Sequence, residues 1–138
     1  MFPDEKDWII KQLSQYVNLN GGGVIDVGSG SGDYTKTQPP ILELYQYLSE
    51  RGLTVETLDS DPNTYPNHLC DIVNGSVNIP PYDLVLCTNT LEHVSDIGTA
   101  VANLERLVKP AGYLIVTVPH DLPPHLHPID NNFRPTSQ

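Results

Sequence analysis

The chain has 138 residues, with 17 acidic against 7 basic side chains, a net charge of −10 and a pI near 4.6. That size fits one domain with a core able to fold by itself. The charge repels phosphate backbones, and no Lys/Arg-rich stripe overrides it, so direct nucleic-acid binding is not expected. No apolar run approaches the roughly 18 residues that span a bilayer, and the N-terminus lacks the basic and apolar regions of a signal peptide. The expectation is a cytoplasmic protein forming a single domain over residues 1–138, without a membrane partner. Cys70 and Cys87 sit in apolar, strand-like runs and read as buried free thiols.

In chain order, Asp4 to Val17 has the pattern of an amphipathic helix, with Trp8, Ile9, Leu13, Tyr16 and Val17 on one face. This N-terminal helix region, residues 1–20, runs to the glycines Gly21 to Gly23. Val24 to Val27 is a buried strand that ends in Gly28, Gly30 and Gly32. Pro39 and Pro40 suit a helix's first turn, and that helix runs from about Pro40 to Glu50, with Gly52 as its stop. Thr54 to Leu58 is a second strand and Leu69 to Val73 a short third. Leu84 to Cys87 is uninterruptedly apolar, as in a central strand buried on both faces. Ile97 to Val108 is a helix capped by Ser95 or Asp96, with Ala100, Val101, Leu104, Leu107 and Val108 inward. Tyr113 to Val118 is the fifth strand. The Pro/His-rich tail, 119–138, reads as an extended loop. The alternation predicts an α/β fold, a doubly wound, mostly parallel sheet of about five strands. Ligand should lie outside the carboxyl ends of those strands.

The stretch VIDVGSGSG, Val24 to Gly32, places a ligand-approachable backbone there. A dinucleotide fingerprint would put its third glycine at position 33, which is Asp33. The actual pattern, Asp26 followed by Gly28, Gly30 and Gly32, resembles the first motif of the class I S-adenosylmethionine (SAM) dependent methyltransferases. Further landmarks sit at strand ends. Asp59, in LDSDP with Ser60 beside it, can accept both ribose hydroxyls, or be a solvated loop acid. Asp61 reads equally as a turn cap. In CDIV, Asp71 and Ile72 match the family's acid that accepts from the adenine amino group and the residue that packs on the ring, with a plain turn acid as the alternative. YDLVLCTNTLEHV, Tyr82 to Val94, with VANLERLVKPAGYLIVTVP and HPIDNNFRPT, resembles the small-molecule branch called type 11 methyltransferases.

The resemblance covers about Val24 to Thr136 and implies SAM as methyl donor, with S-adenosylhomocysteine (SAH) as product. It implies that the backbone at Gly28, Ser29, Gly30 and Gly32 meets the amino-acid part of SAM, and that Asp26 orients its ammonium or braces the loop. Asp59, Ser60, Asp71 and Ile72 would hold the nucleoside, with Cys87, Thr88 and Asn89 after strand four completing the set. The implied activity is methyl transfer to a small-molecule acceptor. Its alternative is a non-catalytic SAM/SAH-binding module or methyltransferase remnant acting with a partner. His93 and His120 are the candidate general bases, with a structural bond from His93 to a backbone carbonyl as the alternative for that residue.

No metal is expected. Some methyltransferases with Glu-His after strand four bind a divalent ion, but beside Glu92 and His93 the upstream position is Asn89, a poorer ligand. His125, His127 and Asp130 lack the spacing of a structural zinc site. NIPPY, Asn78 to Tyr82, looks like the N-P-P-Y motif of amino-group methyltransferases but precedes strand four instead of following it. In one respect the chain departs from the family, which ends on an antiparallel hairpin beside strand five. Nothing after Pro119 alternates like a strand. Strand 113–118 would then be an apolar edge, and self-association through it is the expected cover, with the tail from His120 to Gln138 folding back, a partner protein or a further C-terminal segment as the alternatives.

Overall fold

The computed structural model describes residues 1–30, 39–74 and 77–120. Helix α1, Pro3–Tyr16, starts on a proline whose missing N–H would have no helical partner anyway. Glu5 reaches back to accept from the Phe2 N–H at 3.2 Å, which relieves one orphan donor of the first turn. The chain then forms β1 (Gly22–Val27), α2 (Pro39–Ser49) and β2 (Leu53–Asp59), a 3-10 turn at Pro62–Thr64, and β3 (His68–Leu69). It continues through β4 (Tyr82–Thr88), a 3-10 turn at Leu91–His93, α3 (Ile97–Leu107) and β5 (Val108–Thr117).

All strand pairs are parallel, in the order β3-β2-β1-β4-β5. This is the predicted doubly wound α/β sheet of five strands. Period-two alternation sends successive residues of the central strands to opposite faces. Val24, Leu84 and Leu86 pack under α1 and α2 against Ile9, Leu13, Leu44 and Leu48. Ile25, Val27, Val85 and Cys87 pack under α3 against Ala100, Leu104 and Leu107. Leu84 to Cys87 is fully buried, as its unbroken apolar run requires. Asp83 ties the strand starts together, accepting from Gly23 N and from Lys109 Nζ, both at 2.9 Å. The Gly23 amide and the Lys109 ammonium hold its carboxyl below the usual range.

Several expectations are corrected. Trp8 and Tyr16 flank the buried stripe of α1 and are 48% and 70% exposed, while Ile9 and Leu13 alone are buried. Val101 is likewise exposed, and the inner face of α3 carries Asn103 instead. Strand β3 is only His68–Leu69. Residues Asp71 to Val73 turn because the Asp71 carboxylate accepts from Val73 N at 3.0 Å, a local bond that competes with a ladder. Cys70 is therefore half-buried outside any strand, while Cys87 is buried. Val108 opens β5 rather than closing α3, and a register irregularity between Tyr82 and Leu84 absorbs Lys109 to Gly112, with Ala111 at φ +61°.

Candidate functional site

Between β1 and β4 the strand order reverses, so the connections leaving these strands diverge to opposite faces and open a crevice at their carboxyl ends. A cleft of about 840 Å³ lies there. Its walls include Gly28 and Gly30, Asp59 and Ser60, Asp71 and Ile72, and Asn89 with His93.

The β1 end is built from main chain. Gly28 and Gly30 have φ of +71° and +69°, a region that favours glycine. The Gly28 N–H donates to Leu58 O at 2.8 Å, which holds the turn onto the end of β2. Asp59 braces the same turn, since its Oδ2 accepts from Gly30 N at 3.0 Å and its Oδ1 from Asp61 N at 2.9 Å. Each of these oxygens keeps a second lone pair for a ligand hydroxyl. Asp61 caps the following 3-10 turn through Asn63 N.

Asp26 lies beneath this turn, 1% exposed. The Tyr45 hydroxyl of α2 donates to its Oδ2, and its Oδ1 has no partner among the described residues. Burial pushes its carboxyl up to about 6, against the opposing effect of the Tyr45 bond. A half-satisfied buried acid is costly unless something cationic approaches it. Asp71 and Ile72 stand on the turn after β3. Asn103 of α3 pins that turn from below, donating to Ile72 O at 2.8 Å and Asn74 O at 2.7 Å. Nothing in the apolar reading of α3 marked Asn103 as functional, yet its place between Ala100 and Leu107 on the inner stripe was the available signal.

The β4 end is built from side chains. Asn89 has φ +48°, tolerable for asparagine, and its N–H donates to Thr117 O at 2.9 Å. Thr90 sits against Gly28 so closely that a Cβ on that glycine would meet its Oγ1 at 2.2 Å. That hydroxyl lies 3.2 Å from Val27 O and 3.1 Å from Thr88 O. His93 lines the cleft beside Asn89, with its Nε2 3.7 Å from Oε1 of the buried Glu92.

Not every expected residue faces the cleft. Ser29 and Thr88 belong to the adjoining segments and are not in its lining. Cys87 is buried beneath, with its thiol pushed up to about 12 by burial and by the Asp26 charge, which makes it unreactive. His120 is exposed after β5 and outside the lining. Gly32, and the His125, His127 and Asp130 cluster, lie outside the described residues. Among the described residues no three His, Cys, Asp or Glu side chains are grouped to hold a metal.

The family model described as a methyltransferase domain matches residues 5–133. A ubiquinone biosynthesis O-methyltransferase of Rickettsia bellii is 24% identical over 129 residues, covering 83% of this chain and 50% of that protein. The chain thus spans about half the length of the curated O-methyltransferases it matches. The fold is shared with the phosphoethanolamine N-methyltransferase 2 of Haemonchus contortus, solved with SAM, at TM-score 0.59 and 19% identity over 82% of this chain and 27% of that one. It is shared too with the N-methyltransferase NodS of Bradyrhizobium japonicum, solved with SAH, at TM-score 0.56 and 16% identity over 82% and 59%. The glycine turn and the acids at the strand ends thus stand in a chain that belongs to the methyltransferase domain family.

Proposed function

We propose that this domain binds SAM in the cleft and transfers its methyl group to a small-molecule nucleophile. The observation that carries the reading is the joint placement of a glycine turn, two braced acids and an Asn-His pair around one crevice at the sheet's reversal point. The donor set fits the ligand. Asp26, just beneath the turn and outside the cleft lining, keeps one buried carboxylate oxygen without a partner among the described residues, which suits an ammonium held above it. The Gly28–Gly30 turn lets the amino-acid part of the ligand approach the main chain closely, with the Gly28 and Gly30 N–H groups themselves held by Leu58 O and Asp59 Oδ2. Asp59, with Ser60 at its side, suits the ribose hydroxyls, Asp71 an adenine amino group, and Ile72 the ring face.

A sulfonium supplies an already activated leaving group, so the protein's task is chiefly alignment of donor and acceptor. Asn89 and the β4 end form the wall where an acceptor would approach. His93, on that wall, is our first candidate to take the acceptor's proton, and His120 the second. The free thiols Cys70 and Cys87 suit a reducing compartment, which supports a cytoplasmic setting. Among the described residues no helix is long and apolar enough to cross a membrane. The net charge argues against direct nucleic-acid contact.

Calorimetric titration with SAM, SAH and NAD tests the cofactor; NAD binding without SAM or SAH binding sinks the reading. SAH release across a panel of amine, hydroxyl and carbon acceptors tests the reaction. His93→Ala should lower turnover by about 100-fold while SAM affinity holds. For assembly, we propose self-association through β5, which pairs with β4 alone among the described residues and leaves Leu114 and Val116 each 37% exposed. Light scattering that finds a monomer at every concentration removes that proposal.

A further inference from the structure

We infer that Glu5, at the start of α1, is a positioning residue for the cleft, acting through Asn89. The inference rests on the cleft being the SAM site. Its ground is one half-buried carboxylate on which three segments converge. Asn89 Nδ2 lies 2.8 Å from Glu5 Oε1 and 2.9 Å from Oε2. The Thr117 hydroxyl donates to Oε1, and Phe2 N to Oε2. Sequence separations of 84 and 112 residues make this a tertiary arrangement and not a helix-capping by-product.

The consequence follows from what Asn89 does. It holds a left-handed backbone at a wall of the cleft and is followed by Thr90, which interlocks with Gly28. A rotating carboxamide at 89 would leave that wall without a fixed shape. Glu5 removes this freedom by accepting from the amide nitrogen, while the Asn89 N–H to Thr117 O bond fixes the main chain. Charge-assisted bonds are the strong kind, and here they span the ends of β4 and β5 from α1. Helix α1 therefore contributes to the site although no α1 residue lines the cleft.

The test is a donor–acceptor exchange. Glu5→Ala should raise the SAH dissociation constant about tenfold, one lost charge-assisted bond's worth. Asn89→Asp sets two carboxylates face to face and should do more, with the loss easing as pH falls and one of them takes a proton. Combining Glu5→Gln with Asn89→Asp restores one donor and one acceptor, and should bring SAH affinity back to within about threefold of wild type. Melting temperatures are recorded alongside, because a merely structural residue would shift them without this pattern in affinity. Equal SAH affinity in wild type and Glu5→Ala, or no recovery in the double variant, overturns the inference. Hydrogen exchange at the Asn89 amide gives an arm independent of cofactor. It should quicken at least about tenfold in Glu5→Ala while the Val24 to Val27 amides hold steady. If wild type fails to bind SAH, the cofactor reading has failed. Exchange then decides the clamp alone, and an unchanged Asn89 amide overturns it.

Discussion

The two halves of the cleft are built on different principles. At the β1 and β2 ends the cleft-facing groups are a glycine main chain and carboxylates that backbone amides brace. Asp59 is held by the amides of Gly30 and Asp61, and Asp71 by that of Val73. At the β4 end the wall is side chains, and their partners are remote: Asn89 on Glu5, Thr90 on the carbonyl of Val27. The first half is shaped by neighbouring strand-end loops bonded to one another, Gly30 to Asp59 across 29 residues, with Asn103 of α3 pinning the Asp71 turn. The second hangs on longer-range contacts, 84 residues from Asn89 to Glu5 and 63 from Thr90 to Val27. Substitutions in the first half should therefore weaken cofactor affinity through groups proposed to touch the ligand, and those in the second, such as Glu5→Ala, through the shape of the wall they hold.

The sharpest way to break this comparison is to attack a place where the halves touch. Gly28→Ala puts a methyl 2.2 Å from the Thr90 hydroxyl and 2.4 Å from its Cγ2, at a backbone φ of +71°. We expect a loss of about 3 kcal/mol in stability and no measurable SAM binding. Gly28→Ala with Thr90→Gly should recover part of both, in denaturant melts and calorimetry. No recovery would mean that backbone strain alone is responsible.

Asp59→Ala comes next. It removes the proposed ribose acceptor and the brace on Gly30 together, and should weaken SAM binding by about 100-fold with little change in melting temperature. A change below fivefold would detach Asp59 from the ligand.

Asp26 supplies a pH signature. Its carboxyl titrates at about 6 in the folded chain against 3.8 ordinarily. Between those values the folded state binds more protons than the unfolded one, so this group's contribution to stability falls as pH rises through the window and is level above it. Asp26→Asn should flatten that part of a melting-temperature profile and make the ligand-free protein more stable at pH 7. SAM should bind more weakly as pH drops below about 6, because its ammonium favours the ionised acid. Calorimetry over pH 5 to 8 would detect it, and a flat affinity profile would take Asp26 out of the site.

The smallest effect sharpens the picture of the first half. Asn103→Leu frees the carbonyls of Ile72 and Asn74 and should cost about 1–2 kcal/mol in stability, with SAM affinity reduced only a few-fold. A loss as large as that of Asp59→Ala would show that the β3 turn needs α3 to hold its shape.

What could be read from the chain alone follows from the range of the forces involved. The alternation of apolar runs fixed strand and helix order, because period and burial are local properties. Glycine spacing marked the Gly28 to Gly30 turn, an acid at a strand end marked Asp59, and the family resemblance marked Asp71 with Ile72; the structure brings these residues to one cleft. Only the tertiary structure decided the rest. It exposed Trp8 and Tyr16, since an amphipathic pattern does not say how wide a stripe its neighbours cover. It cut β3 to two residues, since an Asx bond and Asn103 compete successfully with the ladder. It joined Glu5 to Asn89 and Thr117, because the polar partners of a half-buried carboxylate are chosen by which strand ends the sheet order brings beside a helix, and residue spacing along the chain carries no record of that choice.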